Sequence, residues 1–253
     1  MVNKKTKTHK ITKIHKKTKS LKNNDKYNKN ILLASDCTKN KLLPKYLNNI
    51  IKYKFKNLEH IKISVVITPK LGFKNRSYIY KKNRAIQKFK KQEKKLNIQK
   101  SYTIEYVDFS FKKNLDKCIS SLKTSNIIWI VGGDTFYLWY HLKKNKIDKI
   151  INNRIKKKNV LYVGCCAGAI IAGDTLNPTY IARFYKKSNK YNLKNIYKYK
   201  YWNNIKNKKT LKFGKNKDFL PHCKSKKSKQ LNMYNNKTKM FCLPEYKPFT
   251  RKI

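Results

Sequence analysis

Two segments of this chain carry residue types whose spacing could do chemistry. Residues 162–173 read "YVGCCAGAIIAG", an apolar run entering a Gly-rich turn with two adjacent cysteines, Cys165 and Cys166. Gly164-Cys165-Cys166-Ala167-Gly168 fits the G-x-nucleophile-x-G pattern of a strand that turns sharply into a helix. Such an elbow holds its central residue in a strained conformation, and small neighbours keep the side chain clear. In this register Cys166 is the nucleophile and Cys165 the intervening residue. The same letters also describe a small-residue turn with a buried thiol. The second segment is "IVGGDT", with Gly132 and Gly133 following an apolar run. Backbone without a Cβ can approach a ligand closely and donate an N–H, which suits half of an oxyanion hole. The N–H of Ala167 would supply the other half. Asp134 or Thr135 would equally serve as an ordinary helix cap.

A cysteine nucleophile needs a base, usually histidine. Of the five histidines, His9 and His15 lie in a Lys-rich N-terminal segment, while His60 and His141 fall before the elbow. His222, in "DFLPHCKS", is the histidine that follows it, at the end of a short apolar run. An acid must then orient the imidazole. Asp174, Asp218 and Glu245 follow the elbow. Glu245, in "FCLPEY", ends an apolar run at a Pro-led turn as His222 does, and is the preferred candidate.

The elements that must position these residues alternate. Strands are expected at 30–35, 62–69, 102–110, 126–133 and 159–164. Helices are expected at 41–55, at 77–97, up to about Leu122, and at 135–157 with a break near Lys146. Ile79, Ile86, Phe89 and Leu96 are spaced to form one apolar face of the second helix. Apolar, β-branched strands alternating with amphipathic helices indicate βα units and a largely parallel sheet covered on both faces. In such sheets chemistry sits at the carboxyl ends of the strands, where both Gly-rich turns lie. From 174 to 217 the pattern weakens into a Lys-, Asn- and Tyr-rich stretch, expected to be a surface excursion.

Composition bounds the function. The formal net charge is +52, and only five of the 64 basic residues are Arg. Such a protein binds polyanions with strong salt dependence. Residues 1–29 are expected to form a disordered basic arm, with 30–253 as the folded domain. No run approaches the roughly 20 apolar residues that span a bilayer. The Lys-rich start carries no apolar core of a secretory signal. A cytoplasmic location is therefore expected, with a nucleus or viral particle also compatible, and no membrane partner. The six cysteines show no metal-ligand spacing and are expected to be reduced thiols without a disulfide framework.

Taken together, "IWIVGGDTFYL" (128–138), "YVGCCAGAIIAG" (162–173), "FLPHC" (219–223) and "CLPEY" (242–246) resemble the peptidase family of aspartyl dipeptidase (dipeptidase E) and cyanophycinase. The resemblance extends over most of 30–253. It implies a three-layer α/β sandwich with a class I glutamine amidotransferase-like fold, a nucleophile–His–acid triad, and no metal or other cofactor. Carried over by position, Cys166 is the nucleophile, His222 the base and Glu245 the candidate acid, with Gly133 and Ala167 as the oxyanion hole. The implied substrate is a small peptide with N-terminal Asp. The chain departs from the family in having Cys166 where the family has Ser, and Tyr246 where Gly follows L-P-E. The alternative reading is a catalytically inactive member of this fold that binds nucleic acid or another polyanion through residues 1–29.

Overall fold

The computed structural model describes residues 29–72, 77–157, 159–179, 209–222, 239–245 and 247–252. The expected arm at 1–29 falls almost wholly outside these residues, as does most of the 174–217 excursion. Eight strands are described: β1 (Ile31–Ala34), β2 (His60–Val66), β3 (Ser101–Val107), β4 (Ile127–Ile130), β5 (Leu161–Cys165), β6 (Lys217–Leu220), β7 (Lys239–Cys242) and β8 (Phe249–Arg251). The helices are α1 (Leu43–Lys54), α2 (Thr68–Leu71), α3 (Tyr78–Leu96), α4 (Leu115–Thr124), α5 (Thr135–Lys144), α6 (Ile147–Ile155) and α7 (Ala167–Ile171). Six strands form one sheet in the order β3-β2-β4-β5-β1-β8, and β6 pairs with β7 separately. All neighbours in the large sheet are parallel except β8, which runs antiparallel to β1. The fold is a three-layer α/β sandwich, as the alternating pattern indicated.

The apolar runs are continuous because both sheet faces are buried, and successive side chains feed opposite cores. Ile31, Leu33, Ile128, Ile130 and Tyr162 join the core beneath α4, α5, α6 and α7. Leu32, Ala34, Ile127, Trp129, Leu161 and Val163 join the other, beneath α1 and α3. Trp129 meets the edge of Phe89 from α3 with ring centroids 5.3 Å apart. Such a pair adds about 0.5–1.5 kcal/mol beyond the area it buries. Among the described residues, no helix is long and apolar enough to cross a membrane.

Two expectations about packing need correction. On α3 the buried face is Ala85, Phe89, Gln92 and Leu96, whereas Ile79 is 69% exposed. Ile79 lies in the first turn, ahead of the buried face that begins at Ala85. At the end of the supposed surface excursion, Leu211 and Phe213 are buried, Phe213 against the ring of Tyr162. Backbone bonds explain this: the N–H groups of Thr210, Leu211 and Lys212 donate to the carbonyls of Asp174, Ile171 and Gly173.

The helix break near Lys146 falls as expected. Asn145 ends α5, and Lys146 precedes α6 with φ 56°, in the left-handed region. That conformation costs a non-glycine residue about 1–2 kcal/mol, and Lys146 is exposed. Lys146→Gly should raise the unfolding free energy by about 1 kcal/mol and Lys146→Val should lower it. Urea titrations at fixed pH and salt check both.

Candidate active site

β5 ends at Cys165 and α7 begins at Ala167, so Cys166 alone turns the chain. Its φ of 50° and ψ of −103° lie where L-residues are rarely found. Strain of about 1–3 kcal/mol persists only where the surroundings over-determine it. Here the Cys166 N–H donates to the Ala34 carbonyl at 3.1 Å, and the Cys166 carbonyl accepts from the Ile170 N–H at 2.9 Å. The Tyr162 hydroxyl donates to the Gly168 carbonyl at 2.6 Å. A Cβ on Gly168 would lie 2.4 Å from the Ile130 carbonyl oxygen, so only glycine lets α7 settle this close to β4. The Cys166 thiol is partly exposed and free, while Ala167 behind it is buried. As the first residue of α7, Ala167 has an N–H with no carbonyl to bond within its own helix.

The Gly-Gly turn after β4 meets this elbow. A Cβ on Gly132 would lie 2.9 Å from the Cys166 Cβ and 3.6 Å from its sulfur. Asp134 then caps α5, accepting from the N–H groups of Phe136 and Tyr137 at 2.9 and 3.0 Å. The cap is therefore the work of Asp134, and Gly132 leaves bare backbone beside Cys166.

His222 and Glu245 arrive on the separate strand pair. β6 and β7 are parallel with Leu220 opposite Cys242, so both release the chain at the same end. His222 has φ 57°, and its backbone N–H donates to the Ser35 hydroxyl at 2.7 Å, which anchors it to the end of β1. Its Nδ1 stands 3.6 Å from Oε1 of Glu245, an ion-pair contact longer than a hydrogen bond, between side chains 36% and 52% exposed. Hydrogen bonding to the Cys166 sulfur is the largest influence holding the His222 pKa above its ordinary 6.5. Burial opposes it, and the Cys166 charge, Glu245 and Asp36 add to the rise. Cys166, His222 and Glu245 are thus brought together.

The other two acids are engaged elsewhere. Asp218 is buried and accepts from the backbone N–H groups of Asp174 and Thr175 at 3.0 and 2.7 Å, and from the Thr175 hydroxyl. Asp174 accepts from the Asn216 N–H at 2.8 Å. Both tie the segment after α7 to the segment before β6.

Ser35 and Asp36 belong to the site although no motif marks them. Asp36 accepts from the Thr38 N–H and hydroxyl at 2.8 and 2.6 Å. Burial acts to raise its pKa, but the Thr38 hydrogen bonds, His222 and Lys39 outweigh it and leave a net lowering. Their position at the carboxyl end of a parallel strand was the available signal. The expectation of reduced thiols is corrected: Cys37 and Cys165 are disulfide-bonded across 128 residues, with Cα atoms 5.7 Å apart, and Cys242 is disulfide-bonded as well. β1 and β5 are neighbours with Ala34 opposite Cys165, which brings the turn after β1 over the elbow. Among the described residues, no three His, Cys, Asp or Glu side chains group to hold a metal ion.

Residues 74–204, just over half of the 253-residue chain, match the model of peptidase family S51. An uncharacterized peptidase of Listeria innocua is 34% identical over 64 residues, which are 25% of this chain and 30% of that protein. One from Listeria monocytogenes is 32% identical over 73 residues, 29% of this chain and 35% of that protein. The chain thus spans about a third of the length of these curated relatives. Among solved structures, a Listeria monocytogenes protein named for peptidase E superposes with a TM-score of 0.54 at 18% identity, covering 89% of this chain and 98% of its own. A peptidase from an acI-B1 actinobacterium gives 0.56 at 14% identity, covering 88% and 82%. At these identities the two structures speak for the fold.

A digest of the unreduced protein should contain the Cys37 peptide linked to the Cys165–Cys166 peptide, and reduction should separate them by mass spectrometry. Asp218→Ala should lower the unfolding free energy by about 2–4 kcal/mol, because it leaves two partly buried backbone donors and the Thr175 hydroxyl without their acceptor. The His222 titration should not move in that variant, as read by NMR of its imidazole protons.

Proposed function

The chain belongs to peptidase family S51, and from that premise we propose that it is a peptidase-like hydrolase working through Cys166, His222 and Glu245. The observation that carries this reading is the strained backbone of Cys166 with the His222 imidazole beside its sulfur. His222 takes the thiol proton as Sγ attacks the scissile carbonyl carbon. The oxyanion accepts hydrogen bonds from the N–H groups of Gly133 and Ala167, preorganised by the turn and by α7. The imidazolium then donates its proton to the leaving amine, the C–N bond breaks, and a thioester to Cys166 remains. Water attacks that thioester, gives its proton to His222, and the thiolate departs and is reprotonated. Glu245 steadies the imidazolium across its ion-pair contact. The substrate class that the family resemblance implies is a small peptide with N-terminal Asp, and the strongly cationic surroundings would assist its approach.

Purified protein should hydrolyse Asp-Leu. Cys166→Ala should lower kcat by about a thousandfold or more, and His222→Ala by about a hundredfold or more. Loss of all turnover in the wild type at every pH overturns the reading. Because the His222 pKa is raised, kcat/KM should climb with pH through a value above 6.5 as the imidazole loses its proton. Glu245→Gln removes a charge that favours the imidazolium, so the acid limb should shift to lower pH. A limb that stays in place would remove Glu245 from the triad.

A further inference from the structure

The turn that follows β2 carries a lysine into this site. Residues Pro69 and Lys70 of α2 press against the Gly-Gly turn: the Asp134 N–H donates to the Pro69 carbonyl at 2.7 Å. A Cβ on Gly133 would lie 2.2 Å from that oxygen and 3.0 Å from the Lys70 nitrogen. The backbone of Lys70 is therefore built onto the residue proposed to donate to the oxyanion. Its side chain is half-buried, and its ammonium interacts electrostatically with both the Cys166 thiol and the Asp36 carboxylate. Among the described residues it has no ion-pair partner. Burial pulls its pKa below the ordinary 10.5, Cys166 and Asp36 oppose that fall, and Lys88 adds to it. A cation held beside a nucleophile, in partly desolvated surroundings, is suited to an anionic group on the molecule that the nucleophile attacks.

We propose that Lys70 is a specificity-determining residue, binding a substrate carboxylate close to the carbonyl that Cys166 attacks. This rests on Cys166 being the reactive group, and it adds what the motifs leave open, namely which side chain reads the charge of the substrate. The carboxylate has two sources in a dipeptide, an acidic side chain or the chain terminus. Asp36, whose carboxylate interacts with both Lys70 and His222, disfavours an anion placed beside it. Lys70 and Asp36 together give the site a polarity, with the anionic group of the substrate directed towards α2.

The test does not depend on turnover. Iodoacetate and iodoacetamide both alkylate a thiolate: the S–C bond forms, the C–I bond breaks and iodide leaves. They differ in charge at the group beside the reacting carbon. Rates of alkylation at Cys166, followed by peptide mass spectrometry at about 0.15 M salt to screen the general surface charge, give an acetate-to-acetamide ratio. Lys70→Met should lower this ratio about tenfold, Lys70→Glu should lower it further, and Lys70→Arg should retain it. Lys149→Met, which removes an exposed lysine on α6, should leave it unchanged. An unchanged ratio in Lys70→Met overturns the proposal. Equal slowing by both reagents also overturns it, because Lys70 would then act on the thiol and not on the anion. Peptides identify the source: with Asp-Leu, Asn-Leu and Asp-Leu-amide, a side-chain role makes Lys70→Met raise KM for both Asp peptides and spare Asn-Leu. A terminal role raises it for Asp-Leu and Asn-Leu and spares the amide. If the wild type cleaves none of the three while the alkylation ratio still depends on Lys70, the hydrolase reading fails and the anion site stands.

Discussion

Cys166 can hold its φ of 50° and ψ of −103° only because β4, β5 and β1 lie side by side in parallel register. The Ala34 carbonyl at the end of β1 fixes its N–H, and the Ile130 carbonyl at the end of β4 leaves room for nothing larger than Gly168. A shift of either strand by one residue would exchange the faces of its side chains and withdraw one of these constraints. The strain at the elbow is therefore supported by a core of large, fully buried groups, among them Trp129, Tyr162 and Leu32. What the sheet provides is a fixed carboxyl edge where four chain turns converge: Ser35–Cys37, Thr68–Lys70, Gly132–Asp134 and Cys165–Ala167.

His222 and Glu245 stand on different ground. β6 and β7 are outside the large sheet, and their position is set by polar bonds as much as by packing. Asp218 clamps the backbone of Asp174 and Thr175, Thr210 donates to Gly173, and Phe219 enters the core beside Phe249 of β8. His222 is then tied to the sheet by the Ser35 hydroxyl. Cys166 and His222 are thus held by separate supports that meet through the end of β1. The Cys37–Cys165 disulfide joins that same turn to the elbow, so β1, Cys166 and His222 form one connected unit.

The parts of this arrangement that show in the sequence are those with local signatures. The elbow, the Gly-Gly turn, the break at Lys146 and the unbroken apolar strands follow from residues within a few positions of one another. Period places Ile79 on the apolar face of α3 but does not say at which turn burial begins. The burial of Leu211 and Phe213 does not show in the sequence, because two apolar residues amid Lys and Asn carry no period at all. The Cys37–Cys165 bond and the placement of Ser35, Asp36 and Lys70 depend on strand order. That β1 neighbours β5, and not β2, is a property of the whole chain with no local mark in "NILLAS" or "KISVVITP".

Strand order also decides how the charge of this protein can act. A net +52 spread over lysine side chains raises the local concentration of any anion, and salt screens that effect over about 8 Å. Such a field cannot tell one carboxylate from another. Discrimination needs a charge that is partly desolvated and fixed relative to the reacting atoms. Most lysines of α3 point to solvent, whereas Lys70 is half-buried where α2 abuts the Gly-Gly turn. β2 lies next to β4 in the sheet, so the turn after the one must pack on the turn after the other. The same topology that builds the elbow thereby sets one cation of many where its position relative to Cys166 is defined.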